Sequence, residues 1–132
     1  MIVAGIGCRK GCGADEIVTL IRAAVERAGI ANCRFTALAA PAFKADEAGP
    51  REAAERLGLP LLRIGEQALK AAEPRCPTHS EAALEATGFA SVAEAAALAA
   101  AGADARLVLP RIASGAATCA LAERASSAGR PG

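Results

Sequence analysis

"MIVAGIGCRKGCGADEIVTLIRAAVERAG", residues 1–29, is the stretch that decides the fold. Its opening, Ile2 to Ile6, is a short apolar run ended by Gly7, the pattern of a buried strand. From Asp15 to Ala28 the apolar residues recur at 17, 18, 20, 21, 24, 25 and 28. That is helical spacing, and Gly29 supplies the stop. Asp15 and Glu16 fall in the first turn, where the helix dipole favours negative charge. Between strand and helix lie a run of glycines, two cysteines and the pair Arg9-Lys10. Strand, glycine loop and helix together read as the start of a βα unit.

The rest of the chain continues the alternation. Strands are expected at 35–39, 59–64, 105–109 and 115–123, with Pro60 placing the second of these at a sheet edge or strand start. Helices are expected at 50–57, 66–72, over "THSEAALEAT" with Thr78 or Ser80 as its cap, and at 92–101. The last begins at Ser91 and Glu94, which have the spacing of a capping box, and ends at Gly102. Pro110 to Ser114 reads as a hairpin loop, and residues 125–132 as a disordered tail after one domain, 1–124. Strands alternating with helices predict a three-layer α/β/α sandwich around a mainly parallel sheet, made mixed by the closing hairpin.

Composition narrows the function. The chain has 132 residues, 15 basic and 14 acidic, so its net charge gives no general pull toward nucleic acid or an anionic membrane. It has no Trp or Tyr, which argues against a base-stacking platform. The five cysteines are odd in number and irregularly spaced, unlike a secreted disulfide framework. The first apolar run is too short for a signal peptide, and no segment is long and apolar enough to span a bilayer. A cytoplasmic protein with reduced thiols is expected.

Several chemistries compete for the first loop. A helix start can receive an anion on its backbone N–H groups, here those of residues 11–14. The dinucleotide fingerprint, however, requires a glycine where Lys10 stands, and the P-loop pattern is absent. A tight turn that uses its glycines only for positive φ is the plain alternative. Cys8 and Cys12 lack the further cysteines of an iron–sulfur or zinc site. Cys8, beside Arg9 and a helix start, is eligible as a nucleophile of lowered pKa, or is simply a buried thiol. Cys76 and His79 supply only two ligands, so no metal and no cofactor are expected. In "KADE", residues 44–47, carboxylates beside a lysine suit general acid–base work or a solvated helix cap. "LPRIASG", 109–115, places Arg111 and Ser114 in a third loop after a strand. In open parallel sheets sites form at the carboxyl ends of strands. Gly7, Arg9, Lys10, Gly11, Lys44, Arg111 and Ser114 are therefore candidate ligand contacts for an anion with several carboxylates. Asp46, Glu47 and Cys8 are the candidate catalytic groups.

Four motifs occur in order: "GIGCRKG" (5–11), "KADEAG" (44–49), "SVAEAAAL" (91–98) and "LPRIASGAATCALA" (109–122). Together they resemble the CobE and CbiG C-terminal domain family of cobalamin (vitamin B12) biosynthesis, over about residues 2–123. The resemblance implies an α/β/α domain and a role with corrin-ring intermediates, whose acetate and propionate arms match the cationic edge. CbiG-type enzymes open the ring A lactone of a cobalt-precorrin and release acetaldehyde, using additional preceding domains. The chain is similar to the stand-alone CobE form, for which three roles stay open: binding a corrinoid intermediate, hydrolysing the lactone, or delivering the intermediate to another pathway enzyme. The family usually has Thr or Val at position 12 and Ser at 13, where this chain has Cys12 and Gly13, so Cys12 loses its case for chemistry while Cys8 keeps one. A Lys is frequent at the position of Arg111, which keeps the charge but weakens any proton-transfer role. The Ala-rich helix 92–101 packs either inside the domain or against a second copy, which leaves a homodimer open.

Overall fold

The computed structural model describes residues 2–30, 35–78 and 91–124. Its elements are β1 (Ile2–Cys8), α1 (Ala14–Ala28), β2 (Phe35–Pro41), the short α2 (Ala42–Ala45), α3 (Ala48–Leu57), β3 (Leu61–Ile64), α4 (Glu66–Ala72) with a 3-10 turn (Glu73–Arg75), α5 (Val92–Ala101), β4 (Arg106–Ser114) and β5 (Ala117–Glu123). The five strands form one sheet in the order β3-β2-β1-β5-β4. β1 pairs with β2, and β2 with β3, in parallel; β1 pairs with β5, and β5 with β4, antiparallel. The sheet is mixed, as expected: β1, β2, β3 and β4 run in one direction and β5 alone runs against them. The rest of the helix expected over "THSEAALEAT" (79–87, with His79), Cys33 and the tail 125–132 lie outside the described residues.

Alternation along the strands makes the layers. Ile2, Ala4 and Ile6 of β1 join Leu38, Cys119 and Leu121 in one core with Ile17, Leu20 and Ile21 of α1 and Ala53 of α3. Val3, Ala39 and Ala122 point the other way, into a core with Leu69 of α4 and Leu98 of α5. Each fully buried Ile or Leu contributes about 1.5–3 kcal/mol. Period 2 in the strands thus splits the sheet into two apolar faces, one covered by α1 and α3, the other by α4 and α5.

α5 is buried over eight of its ten residues, so it packs inside the domain. Small residues let it come close. A Cβ on Gly5 would stand 2.1 Å from the carbonyl oxygen of Ala93 and 2.5 Å from the backbone nitrogen of Ala97. At this point helix backbone therefore rests against strand backbone, with the Ala97 methyl as a neighbouring side chain. Among the described residues no helix is long and apolar enough to cross a membrane.

Two expectations change. The capping box at Ser91 and Glu94 does not form: Ser91 makes no side-chain cap bond, and its Oγ is buried without a partner. Glu94, fully buried, turns away instead. Its carboxyl accepts from Thr78 N at 3.0 Å, Thr78 Oγ1 at 2.7 Å and Arg111 N at 2.9 Å. Secondly, Pro110 to Ser114 is not a hairpin loop but the second half of β4; the turn is Gly115-Ala116. β4 shifts register between Leu109 and Ile112, around a proline that has no N–H to give the ladder. The N–H of Arg111, freed from pairing at that bulge, is the one Glu94 accepts.

Candidate functional site at the carboxyl edge

β1, β2 and β3 run in one direction, and β4, antiparallel to β5, runs the same way. The loops after β1 and β2 and the β4–β5 turn therefore share one edge of the sheet. The loop after β1 turns tightly: Cys12 N–H donates to the Arg9 carbonyl at 3.0 Å, and Gly11 takes a φ of 82°, which favours glycine. Arg9 N–H donates to the Ala116 carbonyl at 2.8 Å, which ties this loop to the hairpin turn. Glu16, in the first turn of α1, accepts from Ala116 N and Ser114 Oγ, each at 2.7 Å. The Ala116 N–H bond, and then the Ser114 bond, hold the Glu16 carboxyl below the usual carboxylate range. On the other side, the start of α3 presses on the same loop: a Cβ on Gly49 would stand 2.2 Å from the Cys12 carbonyl oxygen.

The predicted residues are placed differently from one another. Arg9, Lys10 and Gly11 are exposed on the loop, and the side chains of Arg9 and Lys10 make no ion pair with any described residue. Lys44 reaches the same corner, because its charge acts on the thiols of Cys8 and Cys12. It is not a free cation, however: it pairs with Glu47 at 3.2 Å, and both side chains are largely covered. Ser114 stands exposed at the turn and is engaged by Glu16. Arg111 lies within β4 rather than in a loop, half-buried, on the outer strand of the sheet. Gly7 faces protein instead of a cavity, since a Cβ there would stand 2.8 Å from Thr118 Oγ1 and 2.9 Å from Val92 Cγ1. Of the backbone donors at 11–14, that of Cys12 is already used within the turn.

The electrostatics weaken the groups proposed for chemistry. Burial pushes the Cys8 thiol up to about 11, aided by Cys12 and Glu47 and opposed by Lys44. That favours the buried-thiol alternative over the lowered pKa, and the thiol is protonated at neutral pH. Cys12 is raised as well, mainly by burial. Asp46 is bound by Arg63 of β3 through both carboxyl oxygens. This hydrogen bonding, with the guanidinium charge, holds its carboxyl below the ordinary value and makes it a weak base. Glu47 is engaged by Lys44. Among the described residues no three His, Cys, Asp or Glu side chains are grouped to hold a metal. Arg63, Glu16, Glu94 and Thr78 were not singled out for these contacts by the sequence. Their partners are 16 or more residues away, and no local spacing marks such pairs.

An α/β domain with a mixed five-stranded sheet and a basic loop at its carboxyl edge is the class defined so far. Residues 2–122 match the family described as Cobalamin synthesis G C-terminus. The chain belongs to this CobE and CbiG C-terminal family of cobalamin biosynthesis. It is 34% identical over 121 residues to Protein CobE of Sinorhizobium sp, covering 92% of this chain and 79% of that protein. The crystal structure of CobE, a protein from the cobalamin (vitamin B12) biosynthetic pathway, superposes with a TM-score of 0.85 at 38% identity, over 92% of this chain and 89% of that one. Cobalamin biosynthesis protein chiG from Agrobacterium tumefaciens gives 0.76 at 46% identity, over 95% and 99%. A cobalamin biosynthesis protein G homolog from Sulfolobus solfataricus gives 0.72 at 26% identity; the match takes in 93% of this chain and 36% of that longer one.

Proposed function

We propose that this cobalamin-pathway domain binds a polycarboxylate corrin-ring intermediate at the carboxyl edge of its sheet. The observation that carries the reading is the loop after β1. Arg9 and Lys10 stand exposed there without acidic partners among the described residues, on a backbone tied by the Arg9 N–H bond to Ala116. Two adjacent unneutralised cations on a rigid loop suit the acid arms of such a ring. Arg111 is a further cation without an ion pair among the described residues, and Ser114 adds a hydroxyl at the turn. Lys44 contributes position more than net charge, because Glu47 neutralises it. A protonated Cys8 and a carboxyl of Asp46 tied to Arg63 favour binding over ring opening.

The test uses the chromophore of the ligand. The protein is mixed with hydrogenobyrinic acid, or with an earlier precorrin, and passed over a desalting column. Co-elution with an unchanged visible spectrum, weakening with added salt, is the expected result. The double variant Arg9→Ala, Lys10→Ala should release the ligand, and undiminished retention by that variant would refute the assignment. A changed spectrum or released acetaldehyde would point instead to hydrolysis of the lactone.

A further inference from the structure

We infer that Phe43 determines specificity at this edge by packing its ring against the apolar face of the macrocycle, while the basic side chains engage its carboxylate rim. The inference rests on the binding reading above and deepens it.

Among the described residues Phe43 is the one large hydrophobic side chain left exposed, at 52%. Single exposed apolar residues are ordinary; its mounting sets this one apart. Pro41 before it and Ala45 after it are fully buried. The Glu47 N–H donates to the Lys44 carbonyl at 3.0 Å, the Lys44 side chain is bonded to Glu47, and Asp46 is tied to Arg63 on the next strand. The ring is thus carried on a backbone turn pinned at several points, so little backbone freedom is lost on binding. α2 follows directly from β2, the neighbour of β1, so Phe43 stands on the same edge as the Arg9-Lys10 loop. Arg51, exposed in the first turn of α3, lies close enough for its charge to act on Asp46. It makes no ion pair among the described residues, which leaves another cation beside this turn. A linear polycarboxylate satisfies the cations alone. A conjugated macrocycle with an acid rim satisfies the cations and covers the ring together.

The experiment measures binding of hydrogenobyrinic acid by equilibrium dialysis, with citrate as a competing polycarboxylate that has no ring system. Phe43→Ala should weaken hydrogenobyrinic acid by about tenfold or more, the range of lost aromatic stacking. Phe43→Trp should bind within about threefold of the parent, since a larger ring stacks at least as well. Citrate affinity should be the same in all three proteins. Circular dichroism and thermal melting confirm that the variants fold, as expected for a half-exposed side chain. Equal binding by Phe43→Ala and the parent, with loss in the Arg9→Ala, Lys10→Ala variant, would overturn the role of Phe43 and leave the binding reading standing. Full affinity in Phe43→Leu would overturn stacking as its basis. No binding by the parent would overturn the binding reading, and this inference with it.

Discussion

Glu94 offers the sharpest test of how the domain is held together. Its carboxyl is fully buried and, among the described residues, serves the donors Thr78 N, Thr78 Oγ1 and Arg111 N. Glu94→Ala strands all three. Each buried donor left unpaired costs about 1–3 kcal/mol, and the cavity adds to this, while water entering the gap offsets part of it. The expected loss is about 3–5 kcal/mol, a large share of the ~5–15 kcal/mol typical of a domain. Glu94→Gln separates geometry from shape. Thr78 Oγ1 and Arg111 N both reach Oε2, whereas Thr78 N reaches Oε1. One amide oxygen at the Oε2 position keeps two bonds, and its NH2 then opposes the Thr78 N–H. That variant should lose about 1–2 kcal/mol. Urea unfolding followed by circular dichroism is the assay, because the chain has no Trp or Tyr to report by fluorescence. A shift in midpoint at constant slope gives the energy directly. A loss under about 1 kcal/mol for the Ala variant, or a Gln variant worse than Ala, would refute the reasoning.

Gly5→Ala should cost about 3 kcal/mol in the same assay, since the added methyl meets backbone of α5; Gly13→Ala meets open space and should stay within ~0.5 kcal/mol, and equal effects would contradict the close packing of α5. Asp46 should titrate below an ordinary aspartate by NMR and return to the usual range in Arg63→Ala. Its folded pKa is depressed, so the stability that pairing contributes is present above the unfolded pKa and is lost as pH falls through the folded value. An unmoved titration would exclude the pair in solution. Cys8, at about 11, should react with iodoacetamide far more slowly than a free thiol at neutral pH and speed up as pH rises toward that value. Rapid labelling at neutral pH would restore its case as a nucleophile.

Periodicity made much of the fold legible. α1 runs Ala14–Ala28 against an expected 15–28, and α4 and α5 match their expected spans. Pro60 sits just before β3, which is an edge strand. Failures came where a tertiary contact overrode a local signal. Ser91 and Glu94 have the spacing of a reciprocal cap, yet burial and two distant backbone donors claim Glu94. Pro110 reads as a breaker, but a bulge lets an outer strand pass it. At the site, the basic loop could be read from Arg9-Lys10 and its glycines. The partners that neutralise Lys44 and Asp46 were less visible: Glu47 is local, but Arg63 comes from another strand. The direction of the Cys8 shift follows from enclosure, which no neighbouring residue in sequence specifies.

The bulge in β4 also bears on how the chain behaves in crowded solution. An open sheet offers its two outer strands as templates to other chains, the first step toward strand-swapped polymers. Here one rim has a proline without a donor, and the next donor is turned inward to Glu94. The opposite rim is only four residues long and has a salt-bridged arginine. Neither rim presents an unbroken row of backbone partners, so neither offers a second chain a continuous template for strand addition.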